Sequence, residues 1–329
     1  MSLDVAHIVS ELKRSRHETC QGNDAAQVWT STMNLIVFTS SRENKQWIIE
    51  RACRLAQKHP SRLMIFDGTV NSQPITIEAT AGGAVSCERI ELGVEGVSAK
   101  ELSSLAEALI VPDVPIVLWW TDKSLDDERF LELTAVVDNV VVDCSGVETG
   151  ERGIKNLARA MAAARHASFR DLAWGRLASW REQVALFFDE GTFRHELGKL
   201  TAIEIASGSS AEALYLAGWF GSRLGLSVCD RTTFCFKNGH EVKVENIRKG
   251  EPRRIVSIKI TSANNVFSIR AGESWDSIHV SIDGHEGHPE KVAPILSPDN
   301  TSLFEHAILA RETDETFEAA LRTVGELLA

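Results

Sequence analysis

The sequence lacks the features that mark membrane, secreted and nucleic-acid-binding proteins. No apolar run reaches the roughly 18 residues that a helix needs to cross a bilayer, and the first residues have no signal-peptide pattern. Lys and Arg number 35 against 46 Asp and Glu, a net charge of −11. That balance disfavours nucleic acid and anionic lipid as partners. We therefore expect a cytoplasmic globular protein with no nucleic-acid partner and no membrane partner.

Cysteine is scarce and follows no pattern. The six cysteines are Cys20, Cys53, Cys87, Cys144, Cys229 and Cys235, and no two form a CxxC motif. In a cytosolic chain this spacing predicts free thiols and provides no zinc-ligand pair. His285 and His288 form a ligand-like cluster, but their Gly- and Pro-rich surroundings favour a solvated loop. We expect no bound metal.

Catalytic and cofactor motifs are also absent. The sequence has no GxSxG, no GxGxxG and no GxxxxGK[ST], so no nucleophilic triad, dinucleotide site or P-loop can be argued from its motifs, and we expect no cofactor. Two serine-rich turns lie between a predicted strand and a predicted helix, where free N–H groups could bind an anion. Serine as an ordinary helix N-cap is the favoured alternative at both turns. The turns comprise Ser40 and Ser41, and Ser207, Gly208, Ser209 and Ser210.

The first half of the chain alternates strand and helix patterns. This order predicts a mostly parallel sheet with flanking helices, an α/β domain over residues 1–150. Ser98 and Glu101 have the spacing of a capping box at the start of one helix. The predicted strands are 34–39, 62–66, 74–79, 85–92, 115–120 and 139–143, and the predicted helices are 45–58, 98–110 and 125–136.

The second half predicts a helical connector over residues 151–190 and an α+β domain with antiparallel strands over residues 191–329. Between residues 152 and 181 there are seven Lys or Arg and one acid, Asp171, which we expect to pair with one of them. The simplest interpretation of this basic face is that it is exposed to solvent. The alternative is that it binds an acidic partner surface or a phosphate ligand. Gly218 and Gly221 indicate close helix packing, and Gly225 a helix end.

Eight tryptophans accompany a single tyrosine. Trp119 and Trp120 end a predicted strand, so their side chains should point to opposite faces of the sheet. Trp174 and Trp180 lie in a segment whose apolar residues form one helical stripe. Core packing is the favoured interpretation of each, and a partner-binding anchor is the alternative, because Trp and Arg are enriched in interface hot spots.

Several stretches, in chain order, resemble the glucose-6-phosphate dehydrogenase assembly protein family, OpcA. The two most specific are residues 112–120 (PDVPIVLWW) and 171–189 (DLAWGRLASWREQVALFFD). The resemblance covers roughly residues 33–226. The other matching stretches are 33–38 (MNLIVF), 59–62 (HPSR), 86–92 (SCERIEL), 142–143 (VD) and 217–225 (AGWFGSRLG).

This resemblance implies a non-catalytic protein that promotes assembly or activity of glucose-6-phosphate dehydrogenase, and so supports NADPH production in the oxidative pentose phosphate pathway. The alternative is a sensor module for a sugar phosphate or nucleotide. Redox control has been associated with photosynthetic members, but no vicinal cysteines are present here. We hypothesise that the two specific segments form or support the dehydrogenase-binding surface. The residues concerned are Trp119, Trp120, Arg170, Asp171, Trp174, Arg176, Trp180 and Arg181.

Overall fold

The computed structural model describes residues 4–21, 31–82, 85–146, 150–189, 191–250, 254–283, 290–295 and 300–329. The chain divides into two compact units. The first comprises residues 1–142, 160–170 and 308–311, and the second comprises residues 143–159, 171–307 and 312–329. Within the described ranges, no helix is long and apolar enough to cross a membrane.

The first unit is built on a seven-stranded sheet with the order β3-β4-β2-β1-β5-β6-β7. Strands β4, β2, β1, β5 and β6 are parallel, and β3 is antiparallel to β4. The predicted mostly parallel sheet is confirmed. The strands are β1 (Met33–Thr39), β2 (Ser61–Asn71), β3 (Gln73–Gly82), β4 (Val85–Glu95), β5 (Ile116–Trp120), β6 (Asn139–Val142) and β7 (Ser168–Asp171). The helices are α1 (Val5–Gln21), α2 (Lys45–Lys58), α3 (Ala99–Leu109) and α4 (Glu128–Thr134).

Local sequence explains these elements directly. All seven residues of β1 are buried, as expected of a central parallel strand that is covered on both faces. The capping box of α3 is confirmed, because Ser98 Oγ accepts from Glu101 N while the Glu101 carboxylate accepts from Ser98 N. Such a cap satisfies two N–H groups that the first turn leaves without partners.

The second unit contains an eight-stranded sheet with the order β15-β14-β13-β12-β8-β11-β10-β9. Its strands are β8 (Leu200–Ser207), β9 (Ser227–Asp230), β10 (Thr233–Cys235), β11 (Glu241–Arg248), β12 (Ile255–Ser262), β13 (Val266–Ala271), β14 (Ser277–Asp283) and β15 (Lys291–Pro294). The helices from residue 150 onward are α5 (Gly150–Ala163), α6 (Leu172–Arg176), α7 (Ala178–Asp189), α8 (Ser210–Leu224), α9 (Asn300–Leu309) and α10 (Glu315–Leu327).

Antiparallel pairing in this second sheet is confirmed from β12 through β15. Strand β11 differs, because it runs parallel to β8. The helix α8 and two short strands lie between β8 and β11 in the chain, which provides the long connection that a parallel pair requires.

The connector that was predicted as helical over residues 151–190 is interrupted by β7. Phe169 and Asp171 are buried and Ser168 and Arg170 are half-buried, the two-residue period of a strand. The prediction missed this strand because helical sequence patterns flank it on both sides. The chain passes between the two units several times. It first leaves the first unit after Val142, eight residues before the predicted domain boundary.

Two glycines allow α8 to approach α10 closely, as the sequence predicted. A Cβ on Gly218 would lie 2.4 Å from the carbonyl oxygen of Ala320, and a Cβ on Gly221 would lie 2.9 Å from Cγ2 of Thr323. Gly225 caps the helix in the left-handed region, with φ of +63°. Both predicted roles of these glycines are confirmed.

We expect Gly218→Ala to destabilise the protein by about 1–3 kcal/mol, the usual cost of overpacking. In a helix interior this change normally stabilises by about 0.5–1 kcal/mol. Here the added methyl group would clash with the Ala320 backbone, so the substitution should lower the free energy of unfolding instead of raising it. Urea denaturation measures the effect. Gly198→Ala is the matched control, because a Cβ there meets no atom within 4 Å. A Gly218→Ala variant as stable as the wild type would contradict the close packing.

Candidate functional site

The carboxyl edge of the first sheet carries one of the two serine turns. Ser40 Oγ donates a hydrogen bond to the Asp122 carboxylate, and Ser41 Oγ accepts from Asn44 N at 3.2 Å. On the neighbouring strand, fully buried Asp67 pairs with Lys45 and accepts two hydrogen bonds from Thr69. The polar groups at this edge are therefore engaged with one another, and Asp122 places negative charge beside Ser40.

Trp119 and Trp120 point to opposite faces of the first sheet, as predicted. Trp120 stacks on Phe38 at 4.1 Å between ring centroids and is 1% exposed. Trp119 is 4% exposed and meets the edge of Trp47 at 6.4 Å. Trp47 itself is 49% exposed, and the Arg51 guanidinium lies 5.0 Å from its centroid. Trp119 therefore supports an exposed aromatic side chain that sequence reasoning missed.

In the second unit, Asp171 lies at the centre of a buried polar cluster. Its carboxylate caps α6 by accepting from Ala173 N at 2.8 Å, and it accepts from the Tyr215 hydroxyl at 2.6 Å and from Cys144 N at 3.2 Å. The prediction that Asp171 pairs with a basic residue is wrong. Asp171 is 3% exposed, and neutral donors satisfy it without the desolvation of a second charge.

Half-buried Arg176, in the same segment, does form ion pairs. Its Nη2 donates to Asp143 Oδ1 at 2.7 Å, and its Nε donates to Glu212 Oε1 at 2.9 Å. Nη2 also donates to Ser145 Oγ. One guanidinium therefore joins the residue after β6, the end of α6 and the first turn of α8.

Glu212 is the more deeply buried of the two carboxylates that share this cation, and burial perturbs its pKa. Burial raises the pKa of Glu212 to about 7, although Arg176 acts in the opposite direction. Glu212 is 1% exposed, and its Oε2 makes no hydrogen bond. Burial and then the charge of Asp143 also raise the pKa of Asp171, and burial raises the pKa of Tyr215.

Sequence reasoning missed most of this cluster. Its additional members are Asp143, Cys144, Ser145, Glu212 and Tyr215. Two signals were present in the sequence. Tyr215 is the only tyrosine of the chain, and Glu212 is the only acid in the helix α8. A lone acid in an apolar helix needs a buried partner, but the sequence does not say which one.

The remaining predicted residues of this segment are also mostly buried. The Arg181 guanidinium stacks 3.5 Å from the Trp174 centroid, and burial lowers the pKa of Arg181 to about 10. Trp174 Nε1 donates to Asp314 at 2.8 Å, and Trp174 and Trp180 are 4% and 5% exposed. In the first unit, half-buried Arg170 donates to Asn139 Oδ1 at 3.0 Å.

The second serine turn opens onto a cavity of about 360 Å³ at the start of α8. Ser207 Oγ accepts from Ser209 N at 3.0 Å, and Ser209 occupies the N-cap position without a side-chain capping bond. Gly208 N donates to the carbonyl of Arg254. The cavity is lined by Glu151, Ser207, Ser209, Ser210 and Arg248, among others.

One cysteine pair corrects the prediction of free thiols. Cys229 and Cys235 form a disulfide, with Cα atoms 6.0 Å apart. They lie on β9 and β10, and the antiparallel pairing of these strands brings them together. The spacing matched no cysteine motif, so sequence alone did not reveal the pair. Cys53, Cys87 and Cys144 are free, and the Cys20 side chain lies outside the described residues.

Within the described ranges, no three His, Cys, Asp or Glu side chains group as metal ligands do. His285 and His288 lie outside those ranges.

Two family models match the chain. One is described as the glucose-6-phosphate dehydrogenase subunit N-terminal domain and matches residues 52–159, and the other is the corresponding C-terminal domain and matches residues 167–321. A putative OxPP cycle protein OpcA from Nostoc punctiforme is 31% identical over 53% of this chain and 40% of its own length. The same-named protein of Synechocystis sp. is 27% identical over 49% and 36%. The chain thus spans about two fifths of the length of these relatives.

Solved structures share the fold at low sequence identity. KijD10, a 3-ketoreductase from Actinomadura kijaniata determined with NADP and TDP-benzene, has a TM-score of 0.53 at 11% identity. The match covers 90% of this chain and 96% of KijD10. At this identity the likeness concerns the fold alone.

The residues after β1 do not fit the dinucleotide that KijD10 holds. A dinucleotide fold uses glycines in this turn so that the backbone can approach the pyrophosphate. Here residues 39–44 are TSSREN, with no glycine. The Asp122 carboxylate beside Ser40 would repel a phosphate, and Asp67, which lies on β2 opposite the last residue of β1, is already bound to Lys45 and Thr69. No reaction step through a dinucleotide follows from this site.

The pKa of Glu212 gives a testable pH dependence. Because its folded pKa lies above the usual 4.5, the stability it contributes is complete below pH 4.5 and is lost as the pH rises through about 7. Glu212→Gln cannot ionise. We expect the free energy of unfolding of this variant, relative to the wild type, to rise by about 3 kcal/mol between those pH values.

Urea denaturation at several pH values measures this difference. The raised pKa of Asp171 is common to both proteins and cancels in the comparison. Glu107→Gln, on the exposed face of α3, is the control and should follow the wild type. Parallel pH profiles for Glu212→Gln and the wild type would contradict the assignment.

Proposed function

The chain belongs to the OpcA family of glucose-6-phosphate dehydrogenase assembly proteins, and from this we propose that it is a non-catalytic assembly or activator protein of that dehydrogenase. In this role it binds the dehydrogenase and supports NADPH production in the oxidative pentose phosphate pathway of the cytoplasm. The observation that carries the proposal is the match of both family models, one after the other, along most of the chain.

The chemistry of the first unit supports a binding role over catalysis. The fold resembles that of oxidoreductases, yet the turn after β1 has no glycine and its polar groups are occupied by one another. A fold can be retained while its site is lost. An activator needs the scaffold and a complementary surface, but it needs no dinucleotide of its own.

Burial restricts how the predicted partner-binding residues can act. Trp119, Trp120, Trp174 and Trp180 are each at most 5% exposed, so in our proposal they support the surface from beneath. Arg176 and Arg181 are likewise engaged with Asp143 and Trp174. Substituting them would disturb the core, which makes them unsuitable for testing a surface contact.

We propose Trp47 as the contact that Trp119 supports in the first unit. It is exposed, large and amphipathic, and it lies beside the Arg51 guanidinium. Aromatic residues that pack on a buried neighbour are typical interface hot spots, and truncating one costs about 2 kcal/mol or more of binding energy. That cost corresponds to a roughly 30-fold weaker complex.

The direct test mixes the purified protein with glucose-6-phosphate dehydrogenase from the same organism. We expect a complex on size exclusion with light scattering, and altered NADPH formation across glucose 6-phosphate concentrations. Trp47→Ala should weaken the complex about 30-fold, whereas Leu131→Ala, an exposed apolar residue on α4, should leave it unchanged. Absence of both complex and kinetic effect with folded proteins would refute the activator role.

A second function rests on the cavity at the start of α8, where Ser209, Ser210 and Arg248 line about 360 Å³. In this alternative the chain is a sensor module for a sugar phosphate or nucleotide. A thermal-shift screen with glucose 6-phosphate, 6-phosphogluconate and NADP separates the two functions, because a ligand that binds the folded state raises its melting temperature. No shift at millimolar ligand would exclude the sensor.

A further inference from the structure

The eight-stranded sheet of the second unit has one buried face and one accessible face. The buried face carries Ile203, Ile258 and Phe267, and Phe187 and Phe188 of α7 pack against Phe267 at 5.2 and 4.9 Å between ring centroids. The alternating residues of the same strands point the other way. We call this second side the open face.

Strand registers define three rows of side chains across the open face. The middle row runs from β11 to β14 through Glu245, Glu204, Lys259, Ser268 and Ser281. The rows on either side are Lys243, Ala202, Thr261, Val266 and Asp283, and Ile247, Ala206, Ser257, Arg270 and His279. The side chains of Lys259 and Glu204 are 47% and 33% exposed, so the face is accessible at its centre.

Charge in the middle row of this face is separated by sign. The acids Glu204 and Glu245 lie on β8 and β11, and the base Lys259 lies on β12 and pairs with Glu204 of the same chain at 3.2 Å. The outer rows are mixed, because Lys243 lies on β11, Asp283 lies on β14, and Arg270 on β13 pairs with Glu290. A two-fold axis that runs along the strands between β8 and β12 exchanges the two sides. It would place Glu204 of one copy over Lys259 of the other, twice, and would set Glu245 diagonally near Arg270. The face is therefore complementary to itself.

Size and side-chain volume also suit a second copy. The rows contain several small residues, Ala202, Ala206, Ser257, Ser268 and Ser281, which allow two sheets to approach to about 10 Å. Eight strands at about 4.8 Å spacing, each with about five residues, give a flat face of roughly 600 Å². That is of the order of the ~800 Å² per partner that a stable interface buries.

We propose that the open face is an isologous interface through which two copies of this chain form a dimer, with the Glu204–Lys259 pairs at its two-fold axis. This interface is separate from the dehydrogenase contact proposed at Trp47, so either proposal can fail without the other.

The test uses charge reversal and its rescue, read by light scattering after size exclusion. We expect the wild type to have twice the chain mass of 36.2 kDa. Glu204→Lys alone and Lys259→Glu alone each bring like charges together across the axis, so each should raise the dimer dissociation constant at least about tenfold. An equimolar mixture of the two variants should recover the dimer, because each copy then contributes to the interface the charge that the other copy has lost.

Two controls complete the design. The double variant Glu204→Lys with Lys259→Glu restores both pairs in reversed order and should dimerise as the wild type does. Glu107→Lys, on α3 of the first unit, should have no effect, and circular dichroism verifies that every variant is folded.

Three results would overturn the proposal. The wild type could remain monomeric at hundred-micromolar concentration. The single variants could dimerise like the wild type. Alternatively, Lys259→Glu could abolish binding to the dehydrogenase while the wild type alone is monomeric, in which case the face belongs to the dehydrogenase rather than to a second copy.

Discussion

The second unit depends on one half-buried cation, the guanidinium of Arg176. Arg176 bridges Asp143 and Glu212, which belong to segments that are more than thirty residues from it along the chain. A guanidinium suits this position because its planar donors address two carboxylates at once and it stays charged when buried. Its loss would leave the buried Glu212 carboxylate without its charged partner, and breaking a buried pair typically costs about 3–5 kcal/mol. Asp171 and Tyr215 pack beside this arrangement, so the position of α6 against α8 follows from it.

Elements governed by local rules were predictable from sequence. The capping box at Ser98, the buried strand β1 and the close packing at Gly218 each follow from a few neighbouring residues. Contacts between distant residues were not predictable in the same way. Asp171 meets Tyr215 across 44 positions, and Cys229 meets Cys235 through strand register. Residue types and spacing do not encode such pairings without the fold.

The fold of this molecule is similar to that of the solved oxidoreductase KijD10, but the turn after β1 lacks the glycines of a dinucleotide site. At this turn Ser40 is hydrogen-bonded to Asp122, and Lys45 is paired with Asp67. A dinucleotide fold depends on a few glycines that keep this turn open. Residues 39–44 of this chain contain none of these glycines, and β1 is nevertheless fully buried between its neighbours.

The parallel pairing of β8 with β11 has a consequence for biosynthesis. Strand β8 is a central strand, and both of its neighbours, β11 and β12, follow it in the chain. Between Ser207 and the end of β12 a ribosome must add 55 residues, which takes about 3–11 s at ~5–20 residues per second. During that interval at least one edge of β8 has no native partner, because β11 is complete before β12. The order of strands therefore delays completion of the central pairings of this sheet until β12 has been synthesised.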